Sequence, residues 1–119
     1  MSYQLLEQRF QQLHHLQHLQ AICGWDQATM MPDGGNQARG AALAELALLQ
    51  HQKLTAPEMP DWLNAAENEE LSDGQQANLN EMRRRWQNAA LLPDDLVRAR
   101  ALAGSRCEHA WREQRKNND

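Results

Sequence analysis

β-Branched residues are almost absent from this chain, and their scarcity constrains the fold more than any motif does. Isoleucine and valine occur once each, as Ile22 and Val97, and threonine occurs twice, as Thr29 and Thr55. β-Sheets favour β-branched residues, whereas alanine, leucine, glutamine, glutamate and arginine favour helices. We therefore predict an all-α fold of four to five helices, arranged as long antiparallel helical hairpins.

Large apolar side chains are also few, which limits the core that the chain can build. Of its 119 residues, 17 are alanine and 17 are leucine, and these two types make up most of the apolar content. Alanine lets helices approach closely but buries little apolar area. We therefore expect one domain at most over residues 1–119, dependent for its stability on a partner or on further polypeptide.

Prolines, glycines and capping residues divide the sequence into five predicted helices. Their predicted ranges are residues 3–29, 36–54, 61–69, 73–91 and a last helix that starts at 93. Pro32 and the Gly-Gly pair that follows it separate the first two helices. Ser72 and Gln75 form a capping-box pattern ahead of the fourth helix, and Pro93 is predicted as the first residue of the fifth.

The apolar stripe of the first helix does not stay on one face. Leu13, Leu16, Leu19 and Ile22 follow one another at steps of three residues. Each such step falls about 60° short of a full turn, so the stripe moves about halfway around the helix over these residues. This helix is therefore expected to have neighbours on more than one side.

The last two long helices show clearer stripes. The fourth carries Leu79, Met82, Trp86 and an alanine on a single face. The face predicted to be buried on the fifth consists of Leu96, Ala99, Ala103, Cys107 and Ala110. Gly104 in that helix costs about 1 kcal/mol relative to alanine, unless a neighbouring helix needs close approach there.

Charge and cysteine content narrow the classes of partner. The net charge of −4 argues against non-specific binding to nucleic acid or to an anionic membrane, because both need a positive field. Cys23 and Cys107 lack CxxC partners and are interpreted as small buried thiols in a reducing compartment. The sequence has no signal-peptide h-region and no apolar run of membrane-spanning length. We predict a cytoplasmic protein.

The residues alone offer no complete active site. His14 and His18 lie one helical turn apart, but a helical zinc-protease motif needs glutamate directly after the first histidine, and position 15 is His15. Exposed helix histidines are the favoured interpretation, and a metal-binding bundle that adds His109 is the weaker alternative. His109 and Glu113 are interpreted as an ordinary pair of side chains one turn apart.

The arginine run at positions 83–85 leaves two interpretations open. A solvated helix face that pairs with Glu81 is favoured, and a site for a carboxylate or phosphate is the alternative. Neither interpretation completes a catalytic device.

Three segments together resemble a known family. They are HLQHLQAICGWDQATMMPDGGNQARGAALAELALL, ANLNEMRRRWQNAALLPDDLV and CEHAWREQRKNND, which begin at residues 15, 77 and 107. In this order and spacing they are similar to the N-terminal helical region of the carboxypeptidase Taq family, whose members are zinc metallocarboxypeptidases that remove residues from the C-termini of peptides. The most specific stretch is GWDQATMMP, residues 24–32.

The resemblance implies that this chain is the N-terminal helical segment of a larger, mostly helical peptidase. That segment walls and lids the substrate cleft. The family's zinc ligands and catalytic residues lie downstream, so no catalytic or metal-binding role passes to any position here, and no zinc is expected on this chain alone. The implied partners are the downstream catalytic part or a second copy in a homodimer, with a peptide as the substrate of the complete enzyme.

The resemblance also names two sets of residues. The packing motif consists of Trp25, Asp26, Gln27, Thr29, Met30, Met31 and Pro32. Its tryptophan and methionines are expected to bury against the downstream part, and Asp26 to pair with that part. Candidate cleft-facing residues are Arg84, His109 and Trp111. The alternative to a peptidase segment is a stand-alone helical module that uses exposed apolar faces for self-association or for binding another protein.

Overall fold

The computed structural model describes residues 1–118, and these form five helices without a β-strand. The helices are α1 (Ser2–Thr29), α2 (Asn36–Leu54), α3 (Glu58–Ala66), α4 (Asp73–Ala90) and α5 (Asp94–Lys116). A short 3₁₀ turn, Asp33–Gly35, joins α1 to α2. The all-α prediction is confirmed, and the molecule is elongated, with extents of 58 × 25 × 22 Å.

Two helix starts differ from the prediction because of proline. Helix α3 begins at Glu58 rather than at residue 61, since Pro60 lies in its first turn, where a missing N–H breaks no intrahelical bond. Pro93 is the N-cap of α5 and not its first residue, with an extended backbone at ψ 156°. The capping box at the start of α4 is present as predicted, because Ser72 and Gln75 exchange hydrogen bonds.

Large apolar side chains gather at one end of the molecule, where the first half of α1 meets α3 and α4. The buried members of this cluster, here named the packed end, are Tyr3, Leu6, Met59, Leu63, Ala66, Leu79 and Met82. Two guanidinium groups cover its aromatic neighbours, Arg9 over Trp62 and Arg85 over Phe10, each 5.1 Å from the ring centroid. The predicted stripe of α4 is therefore buried at Leu79 and Met82.

Glu69, in the turn between α3 and α4, holds the start of α1. Its carboxylate accepts hydrogen bonds from the Met1 ammonium at 2.6 Å and from the backbone N–H groups of Ser2 and Tyr3 at 2.7 and 3.1 Å. These N–H groups have no partner within the helix, so the carboxylate supplies one. The Met1 ammonium and these N–H groups hold the pKa of Glu69 below its ordinary value.

Helices α2 and α5 pack through small residues. Gly40 and Ser105 are buried opposite each other, and a Cβ added at Gly40 would lie only 3.2 Å from the Ser105 Cβ. Further along, Arg98 of α5 pairs with Glu45 of α2. The paired positions rise along α2 as they fall along α5, so the two helices are antiparallel.

The face that α5 buries is not the predicted one. All five residues predicted to be buried are exposed, namely Leu96, Ala99, Ala103, Cys107 and Ala110. Instead, Ser105 is buried, and Val97, Ala101 and Leu102 are half-buried. The side of α5 that carries Ser105 approaches α2 closely at Gly40, and the apolar side chains of Val97, Ala101 and Leu102 lie on or next to that side. Gly104 faces open space and makes no close approach.

Candidate functional site

Residues 24–35, the end of α1 and the turn that leads into α2, are held by backbone hydrogen bonds of their own. The N–H groups of Met30 and Met31 both donate to the Asp26 carbonyl at 2.8 Å, and the Gly35 N–H donates to the Pro32 carbonyl at 2.9 Å. The α1 helix ends before Pro32 because proline disfavours helical backbone in the residue ahead of it. A Cβ at Gly35 would lie 3.1 Å from Cγ of Met31, so a larger residue there would require the methionine side chain to shift slightly.

Polar side chains connect this segment to α2 through an ion pair and hydrogen bonds. Asp26 forms an ion pair with Arg39 at 2.7 Å, and Arg39 also donates to the Cys23 carbonyl at 3.0 Å. The amide of Gln27 donates to Asn36 at 3.1 Å. Arg39 of α2 thus pairs with Asp26 inside this chain, and the expected pairing of Asp26 with downstream polypeptide stays a prediction.

A third helix reaches the same turn. Arg112 of α5 donates to the Gln27 carbonyl at 3.3 Å. Gln27 is buried, while Asp26 and Met31 are half-buried. The polar members of GWDQATMMP thus connect three helices of this chain, a role that the local sequence did not reveal because Arg39 and Arg112 lie outside the motif.

The remaining members of the motif point outward. Trp25 and Met30 are exposed in this chain, as are Thr29 and Pro32. The hydroxyl of Thr29 donates to the Trp25 carbonyl at 2.7 Å, which satisfies the polar atom of that side chain within the helix. The expected burial of the tryptophan and the methionines against downstream polypeptide stays a prediction.

A groove with a volume of about 820 Å³ lies between α1, α2 and α5, next to this turn. Its α1 wall consists of Gln20, Gly24 and Gln27, and its other walls include Leu43, Ala47, Leu92, Leu96, Val97, Ala101 and Gly104. The lining is mostly small and apolar, so the groove suits the side chains of a packed helix. Its polar lining consists of Gln20, Gln27, His51, Arg100, Ser105 and Glu108.

One histidine of the groove was not singled out by its sequence. His51 is buried, and its Nε2 lies 3.4 Å from a carboxylate oxygen of Asp94, the first residue of α5. The other oxygen of Asp94 accepts a hydrogen bond from Gln52 at 3.2 Å. No local signal could have paired these residues, because more than forty positions separate them.

The three candidate cleft-facing residues do not come together in the groove. Arg84 pairs with Glu81 on its own helix, as the favoured interpretation of the arginine run predicted, and this pair raises the pKa of Arg84 and lowers that of Glu81. His109 is half-buried on α5, and Trp111 is exposed with Arg115 stacked 5.1 Å from its ring centroid. Among the described residues that line the groove, none of the three candidates is found.

The potential metal ligands among residues 1–118 are not gathered into a cluster. Within residues 1–118, no three histidine, cysteine, aspartate or glutamate side chains are grouped so that they could hold a metal ion. His14, His15 and His18 are exposed on α1. Cys23 is half-buried, and Cys107 is exposed, contrary to the prediction of a buried thiol, because it lies on the outer face of α5. None of the described helices combines the length and the apolar character needed to cross a membrane.

Comparison with known proteins gives a consistent result. Residues 5–119 match the family model described as carboxypeptidase Taq (M32) metallopeptidase. Thermostable carboxypeptidase 1 of Thermus thermophilus is 34% identical over 99% of this chain, and thermostable carboxypeptidase 1 of Pyrococcus furiosus is 26% identical over 93% of it. This chain spans 24% and 22% of the length of these two relatives.

A solved structure supports the same assignment. Metallocarboxypeptidase 1 of Trypanosoma cruzi superposes on 79% of this chain with a TM-score of 0.76 and 43% sequence identity. The matched part is 20% of that protein, and the similarity lies in the N-terminal part of these enzymes. The helical arrangement described above is thus the arrangement of one segment of a metallocarboxypeptidase. The chain belongs to the carboxypeptidase Taq (M32) family of metallopeptidases.

Proposed function

We propose that this chain serves as the N-terminal cleft wall and lid of a zinc-dependent metallocarboxypeptidase that releases C-terminal residues from peptides. The observation that carries the proposal is the family match over residues 5–119, together with relatives named as carboxypeptidases. The zinc ligands and the catalytic groups belong, on this proposal, to polypeptide outside this segment.

The partner of this segment is the downstream catalytic part of the same enzyme, and the complete enzyme is a homodimer in the cytoplasm. The open groove between α1, α2 and α5 and the exposed apolar side chains support a packed partner. The negative net charge and the free thiols support a cytoplasmic enzyme that contacts neither nucleic acid nor membrane.

A chimeric enzyme tests the proposal. In it, this segment replaces the matched N-terminal quarter of the Thermus thermophilus carboxypeptidase, and release of C-terminal residues from a peptide is measured with zinc present. We expect the chimera to be active, and we expect the Thermus enzyme without its matched quarter and the 119-residue chain with added zinc both to be inactive. A folded, zinc-loaded chimera that releases no residue contradicts the proposal, as does activity of the 119-residue chain alone.

A further inference from the structure

The second half of α1 carries an apolar face that nothing in this chain covers. Leu19, Ile22 and Trp25 are 53%, 51% and 62% exposed. They follow at steps of three residues, so they lie within an arc of about 120° of the helix. We name these three residues the neutral face.

This face points away from the interior of the chain. Ile22 lies nine residues, or about two and a half turns, after Leu13, which puts it on the opposite side of α1. Leu13 is buried, as are Tyr3 and Leu6 at the packed end. The drift of the apolar stripe along α1 therefore gives this helix two apolar sides, of which its own chain covers one.

The stretch of α1 that carries the neutral face is free of charged residues, and the first charged group after it, Asp26, is paired with Arg39. From Phe10 to Trp25, sixteen consecutive residues contain no aspartate, glutamate, lysine or arginine, in a chain that is 24% charged. Exposed helix surfaces normally alternate apolar and charged residues, whereas the cores of interfaces are depleted of charge and enriched in tryptophan. Sequence and exposure together thus give this face the character of an interface core.

The face is also held in a fixed frame. The Asp26–Arg39 ion pair, the hydrogen bond from Gln27 and the bond from Thr29 to the Trp25 carbonyl all secure the end of α1 from within the chain. No buried side-chain nitrogen or oxygen of the described residues lacks a hydrogen-bond partner. Because the end of α1 is already held in place, a partner that binds it loses little free energy in ordering the helix. Tryptophan is a common anchor residue at such preorganised surfaces.

The apolar surface is distributed in a way that favours a large partner over a second copy. Gln20, Gly24 and Gln27, which line the groove, lie on the side of α1 opposite to the neutral face. A two-fold contact covers one continuous patch and needs roughly 800 Å² on each partner, more than three side chains over about 9 Å of helix supply. The relatives extend well beyond this segment, since it spans only 24% and 22% of their length.

We propose that the neutral face docks this segment on the catalytic remainder of the peptidase, against an apolar and uncharged helical surface of that polypeptide. The inference rests on the proposed function, because the partner is the remainder of a family-length enzyme. It assigns the contact to Leu19, Ile22 and Trp25, on the opposite side of α1 from the groove.

The test compares Ile22→Glu with Gln87→Glu, which adds the same charge at an exposed position of α4. Both substitutions are made in the 119-residue chain and in the chimera with the Thermus thermophilus remainder, and Tm is measured by circular dichroism. We expect Ile22→Glu to lower the Tm of the chimera by several degrees, because the charge is buried without a partner. We expect little change in the 119-residue chain, where position 22 is exposed, and little change from Gln87→Glu in either protein.

Three results would overturn the inference. One is an equal Tm for the two chimeric variants, and another is an equal loss of Tm in the 119-residue chain, which would place Ile22 in a contact within this segment. The third is a dimer of the 119-residue chain that Ile22→Glu converts to a monomer while the chimera is unaffected, which would make a second copy the partner. The activity of the unsubstituted chimera tests the proposed function separately, since a folded but inactive chimera still gives the Tm comparison.

Discussion

The two ends of this molecule are built from different interactions. At the packed end, Leu6, Met59 and Leu63 are fully buried between α1, α3 and α4. At the other end, here named the open end, α2 and α5 meet through Gly40 and Ser105 while large apolar side chains such as Trp25 stay exposed. The packed end is a core in its own right, whereas the open end is organised by close helix approach and polar pairs and leaves large apolar side chains exposed.

The largest expected effect comes from the packed end. Leu63→Ala removes a fully buried side chain and should lower the free energy of unfolding by about 2–5 kcal/mol, since it forfeits burial and leaves a cavity. The matched change at the open end, Ile22→Ala, should alter it by less than about 0.5 kcal/mol. Urea denaturation of the 119-residue chain measures both values. Equal effects would break the comparison between the two ends.

Two glycines test the contact between α2 and α5: Gly40 lies inside the contact, and Gly104 faces open space. Gly40→Val should destabilise the chain by about 1–3 kcal/mol, because the added side chain overpacks the contact with Ser105. Gly104→Ala, which meets open space, should stabilise it by about 0.5–1 kcal/mol through helix propensity. Thermal and urea unfolding measure both changes. A tolerated Gly40→Val would mean that α2 and α5 do not approach closely in solution.

A smaller effect is expected at the start of α4. Ser72→Ala removes the hydroxyl that accepts from the Gln75 N–H at 3.2 Å and should cost about 1 kcal/mol. Ser72→Asp keeps an acceptor at this position and serves as the control, with stability close to that of the unsubstituted chain. Loss of stability in both variants would show that the capping box is not what stabilises this helix start.

The smallest effect is a pH dependence at Glu69. The pKa of this carboxyl in the folded chain lies below its ordinary value of 4.5, so its contribution to stability is present above pH 4.5 and is lost as the pH falls through the lowered pKa. Glu69→Gln should therefore lower Tm at pH 7, with a difference from the unsubstituted chain that shrinks below pH 4.5. Glu70→Gln at the exposed neighbouring position is the control. A difference that grows in acid would contradict the assignment.

Local patterns predicted much of the helical framework. The end of α1 and the start of α2 follow from Pro32 and the glycines after it, the end of α2 lies shortly before Pro57, and the start of α4 follows from Ser72 and Gln75. These features act within a few residues, so the sequence states them directly. The predicted start of α3 was wrong because Pro60 was interpreted as a break between helices. Proline is also tolerated within the first turn of a helix, and Pro60 lies there.

Parts of the candidate site were predictable from the sequence and others were not. The drifting stripe of α1 predicted a helix with neighbours on more than one side; Leu13 is buried while Ile22 on the opposite side is exposed, so a neighbour at Ile22 stays a prediction. The pairing of Asp26 with Arg39 could not be predicted from the sequence, because the two side chains meet only when α1 and α2 pack side by side.

Composition and short-range spacing by themselves determined an all-α chain, its turns and its caps, because helix propensity and capping depend on neighbouring residues. Only the tertiary structure decided which face α5 buries, where the pairs of Glu69, Asp26 and His51 form, and which side of α1 stays open. Those outcomes depend on contacts between positions far apart in the chain. The close approach of Gly40 and Ser105 accompanies the burial of one side of α5, and this approach cannot be read from the pattern of that helix alone.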